Sequence, residues 1–85
     1  MKLLIVDDHA PTRALIREFV QPLSTEIREC SNGAEAVALY PSFQPRFVIM
    51  DLMMPELNGF AAAERICALD ASAAVILISH AGSAV

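Results

Sequence analysis

Two apolar runs in this chain stop abruptly at aspartate. Leu3-Leu4-Ile5-Val6 is followed by Asp7-Asp8, and Val48-Ile49-Met50 by Asp51. A continuous apolar run followed by a helical pattern reads as a buried strand of a parallel sheet. In open α/β sheets, ligands bind at the carboxyl ends of the strands. If the second run neighbours the first, at the usual parallel-strand spacing of about 4.8 Å, all three acids meet at one sheet edge. Clustered carboxylates repel one another unless a cation or protons intervene. Magnesium suits such a place, since it takes oxygen ligands and keeps several waters. A carboxylate neutralised in this way can attack phosphorus and form an aspartyl phosphate.

Each acid also has a simpler reading. Asp51 alone could be a turn former. Asp8 could cap the helix that begins near Ala10. Ser79 ends a later apolar run, Ala74 to Ile78, where serine commonly serves as a turn residue. Next to an aspartyl phosphate, however, its hydroxyl could bond a phosphoryl oxygen. His9 is expected to be a plain helix-start residue, and His80 a solvated loop residue. Arg13 and Arg17 read most simply as a solvated helix face.

The elements that must position these groups follow from pattern. Residues 2–7 read as a strand. Pro11 suits the first turn of a helix carrying Leu15, Ile16, Phe19 and Val20 on one side, stopped at Pro22. Thr25 to Cys30 reads as a second strand, Ser31-Asn32-Gly33 as a turn and N-cap, and Ala34 to Tyr40 as a helix ended by Pro41. Phe47 to Met50 is a third strand and Pro55 to Gly59 a loop. Phe60 to Leu69 is a helix with Ala63, Ile66 and Cys67 inward, and Ala74 to Ser79 a fourth strand. The order β-α-β-α-β-α-β implies right-handed crossovers and a parallel sheet with helices on both faces.

Composition limits the rest. Eighty-five residues make one small domain, and 55% hydrophobic with 19% charged content is globular rather than disordered. No apolar stretch is long enough to span a bilayer, and the first apolar run is too short for a secretory signal. A cytoplasmic protein with no membrane partner is therefore expected. The formal charge of −4 argues against nonspecific nucleic-acid binding by this segment. Cys30 and Cys67, without CxxC spacing, are expected to be buried free thiols. A phosphohydrolase with an aspartyl nucleophile commonly carries a second carboxylate two residues on, and position 53 is Met.

Four segments, in order and at the right spacings, carry a resemblance to the receiver domain of two-component response regulators. They are Leu4-Ile5-Val6-Asp7-Asp8, Asn32-Gly33-Ala34-Glu35-Ala36, Asp51-Leu52-Met53-Met54-Pro55-Glu56-Leu57-Asn58-Gly59-Phe60 and Val75-Ile76-Leu77-Ile78-Ser79. The resemblance covers all 85 residues. It implies a flavodoxin-like, doubly wound α/β fold with strand order 2-1-3-4, incomplete because the family adds a fourth helix, a fifth strand and a fifth helix. It implies that Asp51 accepts a phosphoryl group from a sensor histidine kinase, which the family meets around its first helix. It further implies that Asp8 and the Met53 backbone carbonyl bind Mg²⁺ with Asp7 assisting, that Ser79 is the switch hydroxyl, and that Pro55 and Gly59 shape the loop. Such a domain at most catalyses its own phosphotransfer and is not a turnover enzyme. The family's strand-5 lysine has no counterpart, since the only lysine, Lys2, falls at the opposite sheet edge. Slow phosphorylation is expected of the 85 residues as they stand. So is uncovering of apolar residues of strand 1 and helix 1, and homodimerisation through an exposed strand-4 edge that carries no charge or proline. The alternative function is a self-associating, non-phosphorylatable interaction module.

Overall fold

The computed structural model describes residues 1–23, 26–54 and 56–79. Its elements, in chain order, are β1 (Lys2–Val6), α1 (Ala10–Val20), β2 (Glu26–Cys30), α2 (Gly33–Phe43), β3 (Phe47–Asp51), α3 (Gly59–Leu69) and β4 (Val75–Ile78), with a 3-10 turn over Gln21–Leu23 after α1. The readings of Thr25, Pro55 and His80 fall outside the described residues. The strands form one parallel sheet in the order β2-β1-β3-β4. This is the doubly wound arrangement expected from the alternation of strands and helices.

The core lies mainly on one side of the sheet. Leu4, Val6, Val48 and Met50 pack there against Ala36, Tyr40 and Phe43 of α2 and Ala62 and Ile66 of α3. Side chains alternate across a strand, so Leu3 and Ile5 take the other face, and they too are buried. The expected uncovering of strand 1 is thus not observed, because β1 is central in the sheet and α1 lies over it. The uncovered apolar surface belongs to α1, where Leu15 and Phe19 are 54% and 75% exposed, and to the outer strand, where Ile76 is 49% exposed. None of the residues of α1 is fully buried. Ile16 and Val20 are half-buried, while Leu15 and Phe19 lie on the exposed flank of a wide apolar stripe.

Two further expectations are corrected. Proline 41 does not end α2, which continues to Phe43 and closes at Gln44 in the left-handed region (φ 49°), whose N–H donates to the Tyr40 carbonyl at 2.9 Å. An interior proline costs about 3 kcal/mol. Burial of Phe43 offsets part of that, at about 1.5–3 kcal/mol for a large apolar side chain. Its ring is also covered by Lys2 Nζ at 5.4 Å and by the Arg28 guanidinium at 4.8 Å. Cys67 is exposed rather than buried, and Ala63 is only half-buried. The inward stripe of α3 is Gly59, Ala62 and Ile66, and position 67 turns about 100° away from Ile66. Cys30 is buried as expected.

Candidate functional site

Asp7 and Asp8 leave the carboxyl end of β1, and Asp51 ends β3. β1 and β3 are adjacent, with Val6 opposite Met50, so the next residue along each strand is an aspartate. One carboxylate oxygen from each of Asp7, Asp8 and Asp51 lies within 4.8 Å of the others. Asp7 and Asp51 are 0% and 2% exposed, whereas Asp8 opens to solvent. His9 and Met53 line the same hollow.

Local turns aim these carboxylates. Asp7 Oδ1 accepts the His9 backbone N–H at 2.8 Å, and Asp51 Oδ1 accepts the Met53 backbone N–H at 3.1 Å. Each aspartate thus closes a turn onto the amide two residues on, a habit of short acidic side chains. The Asp7 N–H donates to the Cys30 carbonyl at 3.1 Å, fastening the end of β1 to β2. The cap position of α1 falls on His9, whose side chain makes no capping bond. Capping therefore does not account for Asp8.

The loop after Asp51 is folded back tightly. The Gly59 N–H donates to the Leu52 carbonyl at 3.1 Å, and the glycine lies directly against the Asp51 carbonyl. Asn58 caps α3 by accepting the Ala61 N–H at 2.9 Å. Ser79 comes immediately after Ile78, which stands opposite Asp51 in the β3–β4 register. The serine therefore emerges at the same edge as the acids. Lys2 sits at the far edge, donating to the Phe43 carbonyl at 3.2 Å.

Two groups escaped the sequence reading. Arg13 and Arg17 are not simply solvated, since both grip Glu29 of β2, at 3.0 and 2.7 Å. The Arg17 hydrogen bond, with Arg13 adding to it, lowers the Glu29 pKa despite partial burial. The four-residue spacing of the two arginines on one helix face was the available signal. Tyr40 donates to Asp70 at 2.8 Å, linking α2 to the end of α3. Burial, then this bond, pushes the Tyr40 phenol up to about 12. Burial similarly pushes the Cys30 thiol up to about 11, Glu35 adding and Arg13 opposing, which disfavours its thiolate form at neutral pH.

Ligand oxygens on an octahedral magnesium ion stand about 3 Å apart when adjacent and about 4 Å apart when opposite. The observed cluster, within 4.8 Å, fits such an ion after small carboxylate rotations or with one acid reached through water. The buried carboxylates are hard oxygen donors, which suit magnesium rather than a softer metal.

A parallel doubly wound sheet whose central strands deliver carboxylates to the carboxyl edge defines an α/β protein of the flavodoxin-like class with an acidic cation site. The chain belongs to the response regulator receiver domain family, whose sequence pattern it matches over residues 3–85. It is 42% identical over 83 residues to the chemotaxis protein CheY of Listeria monocytogenes, a match covering 96% of this chain and 70% of that protein. The response regulator TrrA of Thermotoga maritima, solved in complex with Mg²⁺ and beryllium fluoride, superposes with a TM-score of 0.87 at 33% identity. That match covers 93% of this chain and 69% of TrrA. A LuxR-family two-component response regulator from Aurantimonas gives a TM-score of 0.84 at 28% identity. The superposition covers 92% of this chain but 57% of that one, so the chain spans little more than half of that protein. No described helix is long and apolar enough to cross a membrane.

Proposed function

We propose that this chain is a cytoplasmic phosphoacceptor, receiving a phosphoryl group on Asp51 from a phosphohistidine of a sensor histidine kinase with Mg²⁺ as cofactor. The observation that carries this is the meeting of Asp7, Asp8 and Asp51 within 4.8 Å at the carboxyl edge of the sheet. Membership of the receiver family supports it, as does the Mg²⁺–beryllium fluoride complex of TrrA. Mg²⁺ would be held by Asp8, Asp51 and the Met53 backbone carbonyl, with Asp7 assisting, and would neutralise charge on the acids and on the phosphoryl oxygens.

Asp51 supplies the nucleophile. A carboxylate oxygen forms the new O–P bond while the P–N bond of the donor breaks, and its electron pair stays on the imidazole nitrogen, which is then protonated. The Met53 N–H on Asp51 Oδ1 helps to fix the orientation of the carboxylate. Burial of Asp51 keeps water from competing for it. Ser79, at the same edge, would donate its hydroxyl to a phosphoryl oxygen. No lysine is near, and one such missing contact costs roughly 10²–10³ in rate, so labelling of the 85-residue chain is slow.

Incubation with acetyl phosphate and magnesium, read by intact mass, tests the proposal. Slow gain of one phosphoryl group is expected, lost in Asp51→Asn and without magnesium. Modification elsewhere than Asp51 would refute it.

A second reading is an interaction module that pairs with its own copy. It is favoured by β4, an outer strand whose residues Val75–Ile78, among them the half-exposed Ile76, carry no charge to deter pairing. Antiparallel pairing of two β4 edges would join two sheets into one. Sedimentation at micromolar concentration separates the readings. A dimer abolished by Ile76→Lys supports the second, and a monomer at all concentrations excludes it.

A further inference from the structure

We infer that Arg13 is a positioning residue for the cation site, holding the peptide between Asp7 and Asp8 so that Asp8 is presented to the ion. The inference rests on the acidic cluster being a magnesium site. Arg13 Nη1 donates to the Asp7 carbonyl at 2.6 Å. That carbonyl belongs to the peptide whose nitrogen is Asp8's, so the bond sets the rotation of this peptide and with it the direction in which Asp8 leaves the chain. Asp7 is already pinned on its other side, its N–H on the Cys30 carbonyl and its Oδ1 under the His9 N–H. Arg13 supplies a hold on the Asp8 side.

The guanidinium is itself oriented. Its Nε donates to Glu29 Oε1 at 3.0 Å, while Arg17 Nε occupies Glu29 Oε2 at 2.7 Å and Arg17 Nη2 reaches the Ile27 carbonyl at 3.3 Å. Glu29 is thus a carboxylate shared between two arginines, tied by Arg17 to its own strand. The Arg13 side chain is only 19% exposed, so its fork has little freedom. A relay runs from β2 through Glu29 and Arg13 to the peptide that carries the exposed acid. Outer partners that orient metal ligands typically change metal affinity about 10- to 100-fold when removed.

Charge and geometry predict opposite signs here, which makes the relay testable. Arg13 is a positive group beside three acids, so its charge alone opposes cation binding. If charge were its whole effect, removing it would tighten magnesium binding. If it positions Asp8, removing it weakens binding.

The experiment is calorimetric titration of the whole chain with Mg²⁺ alone, for wild type, Arg13→Met, Arg13→Lys and, as a charge control on an exposed part of α3, Arg65→Met. Arg13→Met is expected to weaken Mg²⁺ about 10- to 100-fold. Arg13→Lys, which keeps the charge but cannot serve Glu29 and the carbonyl together, should fall in between. Arg65→Met should leave affinity unchanged or slightly raised. The Asp8 amide resonance should also move in the Arg13 variants before any metal is added. Should Arg13→Met fail to fold, Arg13→Lys decides alone, and wild-type affinity in it overturns the inference. Equal or tighter Mg²⁺ binding in a folded Arg13→Met overturns it as well and leaves the site intact. A wild type that binds no Mg²⁺ at all overturns the site, and the relay with it.

Discussion

Gly59 is where the fold and the site are most tightly joined, and adding one methyl group there has a calculable effect. A Cβ built on Gly59 would lie 2.1 Å from the Asp51 carbonyl oxygen, 2.8 Å from its carbon and 2.9 Å from the Leu52 Cα. All three are backbone atoms, so no side-chain rotation relieves the clash. Reaching ordinary contact needs roughly 1.3 Å of movement between α3 and the end of β3. Overpacking of this kind costs about 1–3 kcal/mol, and an unyielding backbone puts Gly59→Ala at the upper end. Against that stands the better helix propensity of alanine, up to about 1 kcal/mol inside a helix and less at the first helical position. The net loss is then about 2–3 kcal/mol, of a total stability near 4–13 kcal/mol expected for a chain of this length. In urea, with a slope near 1 kcal/mol per molar, the midpoint should fall by about 2–3 M. Because the displaced atoms belong to Asp51, magnesium binding should weaken in the folded variant too. Gly33→Ala is the comparison. Its Cβ meets the Leu57 carbonyl oxygen at 2.7 Å and the Ala62 Cβ at 2.9 Å, both off the site, so it should cost stability without a specific loss of magnesium. A midpoint shift under about 0.5 M for Gly59→Ala, with unchanged slope, would refute the close-approach argument.

Three other outcomes are expected. Without magnesium, Asp51→Asn should raise the melting temperature. It removes one of three charges within 4.8 Å, each pair being worth roughly 3–4 kcal/mol at an effective dielectric of 20 before solvent at Asp8 and salt reduce it to about 1–2 kcal/mol, and magnesium should narrow the gap. An Asn variant less stable than wild type in the absence of magnesium would contradict the repulsion. Tyr40, the sole tyrosine, has a folded pKa raised from 10.0 to about 12, so it favours the protonated phenol. Its contribution is complete below pH 10 and lost as pH climbs toward about 12. Alkaline melts should show that loss in wild type, absorbance should place the phenol titration, and Tyr40→Phe should flatten this part of the curve. With a chromogenic disulfide at pH 8, exposed Cys67 should react quickly and buried Cys30 only as the fold opens, and two fast thiols would count against the burial of Cys30.

What the sequence made legible was whatever depends on short-range pattern. Apolar runs ending in acid marked β1 and β3, because a central parallel strand is apolar on both faces and its polar groups begin where it emerges. From that alone Asp7, Asp8 and Asp51 could be brought to one edge, and the structure brings them within 4.8 Å. Asn32 was readable as a cap, and its side chain does accept the Glu35 N–H at 2.8 Å. The misreadings share a different origin. Proline 41 looked like a stop because the local cost of proline is visible in sequence, whereas burial of Phe43 two residues later is a tertiary gain. Cys67 looked buried because cysteine usually is, but a helix stripe only a few residues wide admits Ile66 and turns its neighbour out.

The same distinction explains why the acids were found and their supports were not. An aspartate after an apolar strand is informative by itself. An arginine on a surface helix is not, until β2 is known to lie alongside. Glu29 and Arg13 are 16 residues apart, and only the β2-β1 pairing, with Ile5 opposite Glu29 and Val6 opposite Cys30, puts them in reach. The chemistry-bearing groups of this site are therefore encoded locally, at strand ends, while the groups that hold them are encoded in the packing of α1 across two strands. The consequence is asymmetric. Substitution at Asp51 should change the chemistry and spare the fold, whereas substitution at Gly59 or Arg13 should remove none of the acids and still disturb the site, because each acts on the backbone from which an acid projects.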